Sequence, residues 1–434
     1  MPHNRNMDLE QKWSLELGQI TKGVTVMKTN RIKGKGALGF VFSVVLLDVM
    51  GLGLLMPIQA YIVRQYSNEA IMVAMIPVLY AAAQFFAAPL LGKLSDRFGR
   101  RPVILYSITA SAFGYFLFGI GGALWVLFLS RLIDGFGAGS ASTAGAYVAD
   151  VTPPQDRAKN YGFIGMAFGL GFILGPTLGG LLSQISLNAP VYAAGILSLL
   201  AAVVGFFILP ESLPKERRET KPMRLADLNP FASIFEMLRR PTVGGLLIAQ
   251  CLFFFVFNGN NNMLPVFMIE RFTAQPWQVA MLFATGGIVM AIMQGALVGP
   301  LVKRFSEKPL TVNSLVLQAL AAIGMVTVPA LWMLYPVTVL NSMGTGLVWP
   351  TLGAMLANSV SSEEQGRLSG VSTALGSLMS IFGPLFAGTT YDQITPAAPF
   401  WIGAIVFVLA GLLLTRVKVK AHQSSQVDAR AMAD

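Results

Sequence analysis

The chain has 434 residues, 54% hydrophobic and only 12% charged, with a net charge of +10. A soluble domain is roughly 25% charged, so the composition excludes a soluble enzyme, and with it disordered, collagen-like and coiled-coil chains. A single cysteine, Cys251, excludes a disulfide framework and a cysteine-ligated metal site, and the two histidines, His3 and His422, lie in polar tails.

Residues 1–36 hold seven Lys and Arg and no apolar run long enough for a secretory signal, so they read as a cytoplasmic extension. Apolar runs bounded by charge or by Pro/Gly turns then predict membrane helices over 37–60, 71–91, 103–121, 123–147, 161–182 and 190–209. A charged stretch, 210–242, separates these from a second six over 243–268, 277–301, 309–328, 331–357, 368–390 and 397–415, and 416–434 is a polar tail. The expected fold is an all-α membrane protein with twelve transmembrane helices. Segments on one side of this map hold 28 of the 31 Lys and Arg; the others are Arg64 and Arg271 in opposite loops and Arg131 inside a span. Cations gather on the cytoplasmic side. Both termini are therefore expected in the cytoplasm, and the chain in the inner (plasma) membrane.

The loop after the second expected span reads Gly92-Lys93-Leu94-Ser95-Asp96-Arg97-Phe98-Gly99-Arg100-Arg101-Pro102, and its Gly, Leu, Arg, Phe and Pro recur over 299–309 at an offset of 207. Gly162 and Gly175-Pro176 recur as Gly370 and Gly383-Pro384 at an offset of 208. These matches predict two six-helix halves, 37–209 and 243–415, related by a parallel repeat. Such repeats are an architecture of secondary transporters, which bind substrate between the halves.

The Gly92–Pro102 loop resembles the loop signature of the major facilitator superfamily. Gly162, Gly171, Gly175, Pro176, Gly179 and Gly180 fit G-x8-G-x3-GP-x2-GG, which resembles the antiporter motif of drug/proton exporters in that superfamily. Leu79-Tyr80-Ala81 through Gln84, Ala88-Pro89 and Leu91 is similar to the tetracycline/proton antiporter branch, as is Ala149-Asp150-Val151-Thr152 with Arg157, Lys159 and Gly162. The resemblance implies a conformational switch at Gly92, Asp96, Arg97, Gly99, Arg100 and Arg101, with Asp150 and Arg157 beside it. On physical grounds the four cations also anchor topology. Asp96 among them is placed for charge-assisted contacts with Arg97, Arg100 or Arg157, or with a helix N-terminus of the other half. Contacts made in one conformation only bias a rocking equilibrium. Lys303 stands where the second copy would repeat Asp96, so the expected latch is one-sided. The span-five glycines allow close helix approach, and Pro176 weakens the helix ladder.

Asp48 falls midway along the first expected span, and Arg131 and Asp134 lie three residues apart on one face of the fourth. Each central charge costs roughly 2.5–3.5 kcal/mol on insertion scales. Either a fixed ion pair orients helices, or Asp48 and Asp134 exchange protons while Arg131 sets their affinities. Asp48, within Leu47–Gly53 and ahead of Pro57, resembles the first-span acidic motif of tetracycline exporters, and Arg131 matches the fourth-span arginine of superfamily antiporters. Asp134 maps onto no usual family position. Tetracycline exporters also tend to carry acids in spans three and nine, and 103–121 and 309–328 contain none. The coupling role therefore falls on Asp48 and Asp134.

Candidate substrate-binding residues are Gln84, Asn258, Asn261, Asn341 and Trp349, near the aromatic run Phe253-Phe254-Phe255. Asn258, Asn260, Asn261 and Asn262 crowd one apolar span, which suggests a broken or water-facing segment. The expected function is a proton-coupled exporter of small amphipathic compounds such as drugs; the alternative is an exporter or importer of a physiological metabolite or siderophore. No cofactor is expected beyond the proton gradient, and the expected partners are substrate, protons and the lipid bilayer, without nucleic acid, for a monomer. Neither HExxH nor GxxxxGK[ST] occurs, so metalloprotease chemistry and ATP-driven pumping are not expected.

Overall fold

A computed structural model describes residues 36–138, 140–153, 156–219, 231–361 and 364–417. The expected extension, the tail beyond 417 and much of the 210–242 linker lie outside them. Hydrocarbon offers no partner to a backbone N–H or C=O, so apolar stretches that enter it satisfy these groups internally as helices. The helices are α1 (Gly36–Leu55), α2 (Gln59–Val63), α3 (Ala70–Phe98), α4 (Arg100–Ile120), α5 (Leu124–Gly137), α6 (Ser140–Val151), α7 (Arg157–Leu182) and α8 (Ala189–Ile208). After the linker come α9 (Phe231–Leu238), α10 (Pro241–Phe272), α11 (Pro276–Ile292), α12 (Val298–Phe305), α13 (Glu307–Thr327), α14 (Leu334–Ala357), α15 (Gln365–Gln393) and α16 (Ala398–Arg416). The described residues form no strand.

Ten helical stretches among the described residues are long and apolar enough to cross a membrane, with α11 and α12 counted as one. Two expected spans fall short of that measure. The fourth divides into α5 and α6 where small residues, Gly135, Gly137 and Ala138, hold the helix weakly. The tenth, α14, is a continuous 24-residue helix, but Thr338, Asn341, Ser342, Thr345 and Thr351 dilute its hydropathy. The first expected span also ends early: α1 stops at Leu55, and α2 resumes after a turn at Pro57, whose missing N–H breaks the ladder. A π-helical turn, Met293–Leu297, joins α11 to α12. The expected break at the asparagines is absent, for α10 runs unbroken through them. The side-chain amides of Asn258, Asn261 and Asn262 donate to the carbonyls of Phe254, Phe257 and Asn258 at 2.8, 2.8 and 3.0 Å, so these polar groups are satisfied on their own helix.

Packing follows the repeat. α4 lies against α5 and α8 as α13 lies against α14 and α16, and α3 against α5 as α11 against α14. The main pairings that join the helices before the linker to those after it are α3 with α15 and α7 with α11, with a smaller contact of α3 on α10. One apolar core runs across both sets at a single end, taking Leu54, Ile58 and Ile76 together with Met263, Phe267 and Tyr391. Toward the end that carries the Gly92–Pro102 loop the core divides, one part around Val45, Ile104 and Tyr147 and another around Leu247, Leu352 and Phe407.

Candidate functional site

Four helices of the first set converge on a buried charge cluster. Arg131 Nη1 donates to Asp134 Oδ2 at 3.0 Å, and both side chains are 2% exposed. The guanidinium lies over the rings of Tyr115 and Phe118, 5.2 and 4.8 Å from their centroids, which offsets part of its desolvation. Glycine makes this burial possible: a Cβ at Gly114 of α4 would stand 2.8 Å from the Asp134 Cβ, and Gly135 of α5 meets the Tyr80 carbonyl of α3. Arg131 Nη2 has no hydrogen-bond partner among the described residues.

Asp48 enters from α1, half-buried. The antiporter-motif glycines place its helix. A Cβ at Gly175 of α7 would stand 2.7 Å from the Gly53 Cα, one at Gly171 would stand 2.8 Å from Val49 Cβ, and one at Gly179 would press on the Leu54 carbonyl 2.6 Å away. Pro176 packs on Gly53 from the same face, within a continuous α7. Gly180 instead meets Ala280 of α11, and Gly162 faces open space. The Tyr115 hydroxyl rests against Gly51, one turn from Asp48. Tyr115 and Tyr80 both feel the charges of Asp48, Arg131 and Asp134. The structure thus pairs Arg131 with Asp134, brings the helix that carries Asp48 against Tyr115, and adds two tyrosines to which sequence reasoning gave no part in the cluster. Their signal was there: a tyrosine inside an apolar span carries a hydroxyl that needs a polar neighbour.

At the loop motif, Arg100 is the hub. It bridges Asp96 at 2.6 Å and Asp150 at 3.1 Å and donates to Ser95 Oγ at 2.6 Å. Of the partners expected for Asp96, Arg100 is the one found; Asp150 joins it there, and the Arg157 side chain lies outside the described residues. Arg101 donates to the Phe206 carbonyl at 2.5 Å, Arg97 lies over the Phe98 ring, and Gly99 has a φ of 109° that suits glycine. Gly92 has open space where a Cβ would be. All of these contacts stay within the first helix set.

The candidate substrate residues separate. Gln84, one turn beyond Tyr80 on α3, donates weakly to the Ala138 carbonyl at 3.4 Å. Trp349, 47% exposed, stands edge-on to Phe254 at 5.1 Å. Asn261 and Asn341 instead line a small cavity inside the second set, with Gln318, and Asn258 is turned back on its own helix.

The end opposite the loop motif is sealed by bonds between the sets. Arg64 forms an ion pair with Glu270, which also accepts from the Tyr391 hydroxyl. Gln59 donates to Asn262 Oδ1 at 3.0 Å and the Tyr61 hydroxyl to the Ala274 carbonyl at 2.5 Å. Asp392 accepts from the backbone N–H groups of Ala70 and Ile71 at 2.9 and 2.8 Å, capping α3 from α15.

Comparison with known proteins places this architecture. The sequence profile of the Major Facilitator Superfamily matches residues 41–331 and 295–431. The chain is 36% identical over 387 residues to the class C tetracycline resistance protein of Escherichia coli, covering 88% of this chain and 96% of that protein. It is 28% identical over 372 residues to multidrug resistance protein 2 of Bacillus subtilis (strain 168), covering 85% and 91%. Among solved structures, that of the human organic anion transporter MFSD10 (TETRAN) is similar, with 27% identity, a TM-score of 0.67 and coverage of 88% and 99%. The chain is a multi-pass membrane transporter, and it belongs to the major facilitator superfamily, among the relatives of the tetracycline and multidrug resistance proteins.

Proposed function

We propose that the chain is a proton-coupled exporter of small amphipathic organic compounds, working in the inner membrane with both termini in the cytoplasm. In this reading all twelve helical stretches span the membrane as two six-helix halves, 37–209 and 243–415. The observation that carries it is the Arg131–Asp134 pair, 3.0 Å apart and almost fully buried, with Asp48 and two tyrosines beside it. A buried ion pair is a poor stabiliser, because desolvation consumes most of its attraction. Retaining three charges beside one another in an apolar bundle fits a site that must change its charge. A proton on Asp134 releases Arg131 toward Asp48, and a substrate competing for either group displaces the proton.

The sealed end faces outward and the loop-motif end opens to the cytoplasm, so the state described is the one that would load substrate from the cell interior. The Arg100 hub stays within its own half here, leaving Asp96 to engage the other half when the cytoplasmic end closes. Gln84 and Trp349 are the strongest candidates for substrate contact, and the names of the relatives make tetracycline the first compound to test, alongside cationic dyes. Inverted vesicles under an imposed pH gradient provide the assay. Asp48→Asn and Asp134→Asn should each lose most substrate-driven proton release while the purified protein stays folded, Asp134→Asn with a lowered melting temperature because it leaves Arg131 without its buried counter-charge. Proton-driven transport at the wild-type rate by the double variant would overturn the assignment.

A further inference from the structure

The second helix set carries an altered copy of the charge cluster. α4 and α13 are both 21 residues long, and each begins and ends at the offset of 207. At that offset Arg131 and Asp134 fall on Thr338 and Asn341, Ser111 on Gln318, and the aromatic pair Tyr115 and Phe118 on Ala322 and Met325. Backbone packing is copied too. A Cβ at Gly137 would stand 2.9 Å from the Ser107 carbonyl, and one at its counterpart Gly344 would stand 2.8 Å from the Ser314 carbonyl. The frame is kept while the charges and the two rings facing Arg131 are gone.

What replaces them is a cavity of about 20 Å³, lined by Asn260, Asn261, Gln318, Ala322, Met325 and Asn341 among others. Gln318 is fully buried. Its Oε1 meets the Thr345 hydroxyl at 3.3 Å, while its Nε2 has no partner among the described residues. The Thr345 hydroxyl also lies 3.0 Å from the Asn341 carbonyl. As placed, the amide leaves its Nε2 unpaired, and turning it over would present Oε1 at the same point. The Thr338 hydroxyl, in the place of Arg131, is buried and unpartnered as well.

We propose that this cavity binds one ordered water molecule, held by the Gln318 amide and the asparagines around it. The space suits about one water, which needs roughly 10–15 Å³, and is too small for an organic substrate. Water satisfies an unpaired donor or an unpaired acceptor alike. A metal cation would sit among neutral amides with no carboxylate in the lining, an uncompensated buried charge. The water links α10, α13 and α14 as the Arg131 ion pair links its own neighbours, but it introduces no group that titrates.

The test uses the full chain purified in detergent. A structure at a resolution that shows waters should contain one density peak within hydrogen-bonding distance of the Gln318 amide; an empty cavity overturns the proposal. Gln318→Met keeps the volume and removes the amide. With water bound, its main partner is lost and the melting temperature falls by about 1–2 °C. In a dry cavity the same change removes an unpaired buried N–H, and the Thr345 hydroxyl keeps the Asn341 carbonyl, so an unchanged or raised melting temperature overturns the proposal. Equal melting in sodium chloride and choline chloride supports water, whereas a sodium-dependent rise assigns the site to a cation instead. Should Gln318→Met fail to fold, the wild-type density decides.

Discussion

The two ends of the helix pairs α3–α15 and α7–α11 are built from the same kinds of residue and behave oppositely. At the sealed end, glycines serve as contacts: Gly388 admits Ala74 and Ile71, Gly180 admits Ala280, and Gly287 admits the backbone of α7. At the loop-motif end, Gly92, Gly162, Gly165, Gly299, Gly366 and Gly370 have nothing within 4 Å of a Cβ position. Polar groups divide in the same way. Arg64, Glu270, Gln59, Tyr61 and Asp392 bond across the sets, whereas Arg100, Asp150, Arg240, Glu364, Arg367 and Glu236 bond within their own. A small residue is therefore not in itself a contact residue. It marks a surface able to meet another closely, and which end meets depends on the conformation occupied.

The most forceful way to break this contrast is to spoil the sealed end. Gly180→Leu drives a side chain into Ala280, and overpacking of this sort costs about 1–3 kcal/mol, so the closed outer end should lose roughly 5–150-fold in population. Distances between spin labels on 66 and 273, measured by pulsed paramagnetic resonance, should lengthen. Gly162→Leu, at the open end, is the matching control and should leave them unchanged. Glu270→Gln is milder: it removes the ion pair with Arg64, whose two side chains are partly exposed, and weakens the bond from the buried Tyr391, a loss of about 1 kcal/mol or roughly fivefold in the same population. Rate of thiol labelling at a cysteine placed at Ser67 reads it, and an unchanged rate would show that the apolar core alone holds the seal.

The smallest effect belongs to the within-set bridges at the open end. A hydrogen bond from Arg367 holds the Glu236 carboxyl below the usual carboxylate range, and one from Arg240 does the same for Glu364. A carboxylate whose folded pKa is lowered contributes stability above its unfolded pKa, about 4.3 for Glu, and loses it as the pH falls through the folded value. Docking of α9 on α10 and α15 should thus weaken only below about pH 4, and less so in high salt, because these groups are exposed. Hydrogen exchange of α9 against pH measures it.

Much of this was legible in the sequence for a physical reason. Hydrocarbon demands internally bonded helices, and each expected span has a helix close to its place. The charges Asp48, Arg131 and Asp134 stood out because burial of charge is costly anywhere. The tyrosines beside them did not, since Tyr80 and Tyr115 are apolar over most of their surface and vanish into a hydrophobic count. The Arg64–Glu270 bridge was invisible because nothing periodic links residues 206 apart, and of the two readings of the asparagines, broken or water-facing, the break is absent because an amide on a helix is able to bond the turn before it. Gln318 was passed over as one polar residue in an apolar span until its place in the repeat gave it a counterpart.

The π-helical turn between α11 and α12 has a counterpart as well. At the offset of 207, Met293–Leu297 falls on 86–90, which contains Pro89 inside α3. A π turn and a proline are unrelated in chemistry, yet each interrupts the regular i to i−4 ladder, and bending costs least where that ladder is already broken. Both helices thus have a soft joint at one height, between the part that packs against the opposite set and the part that carries the cationic loop. The two halves thus interrupt the ladder at matching places by different means, so Pro89→Ala and a one-residue deletion that regularises 293–297 are equivalent operations on two halves of one lever.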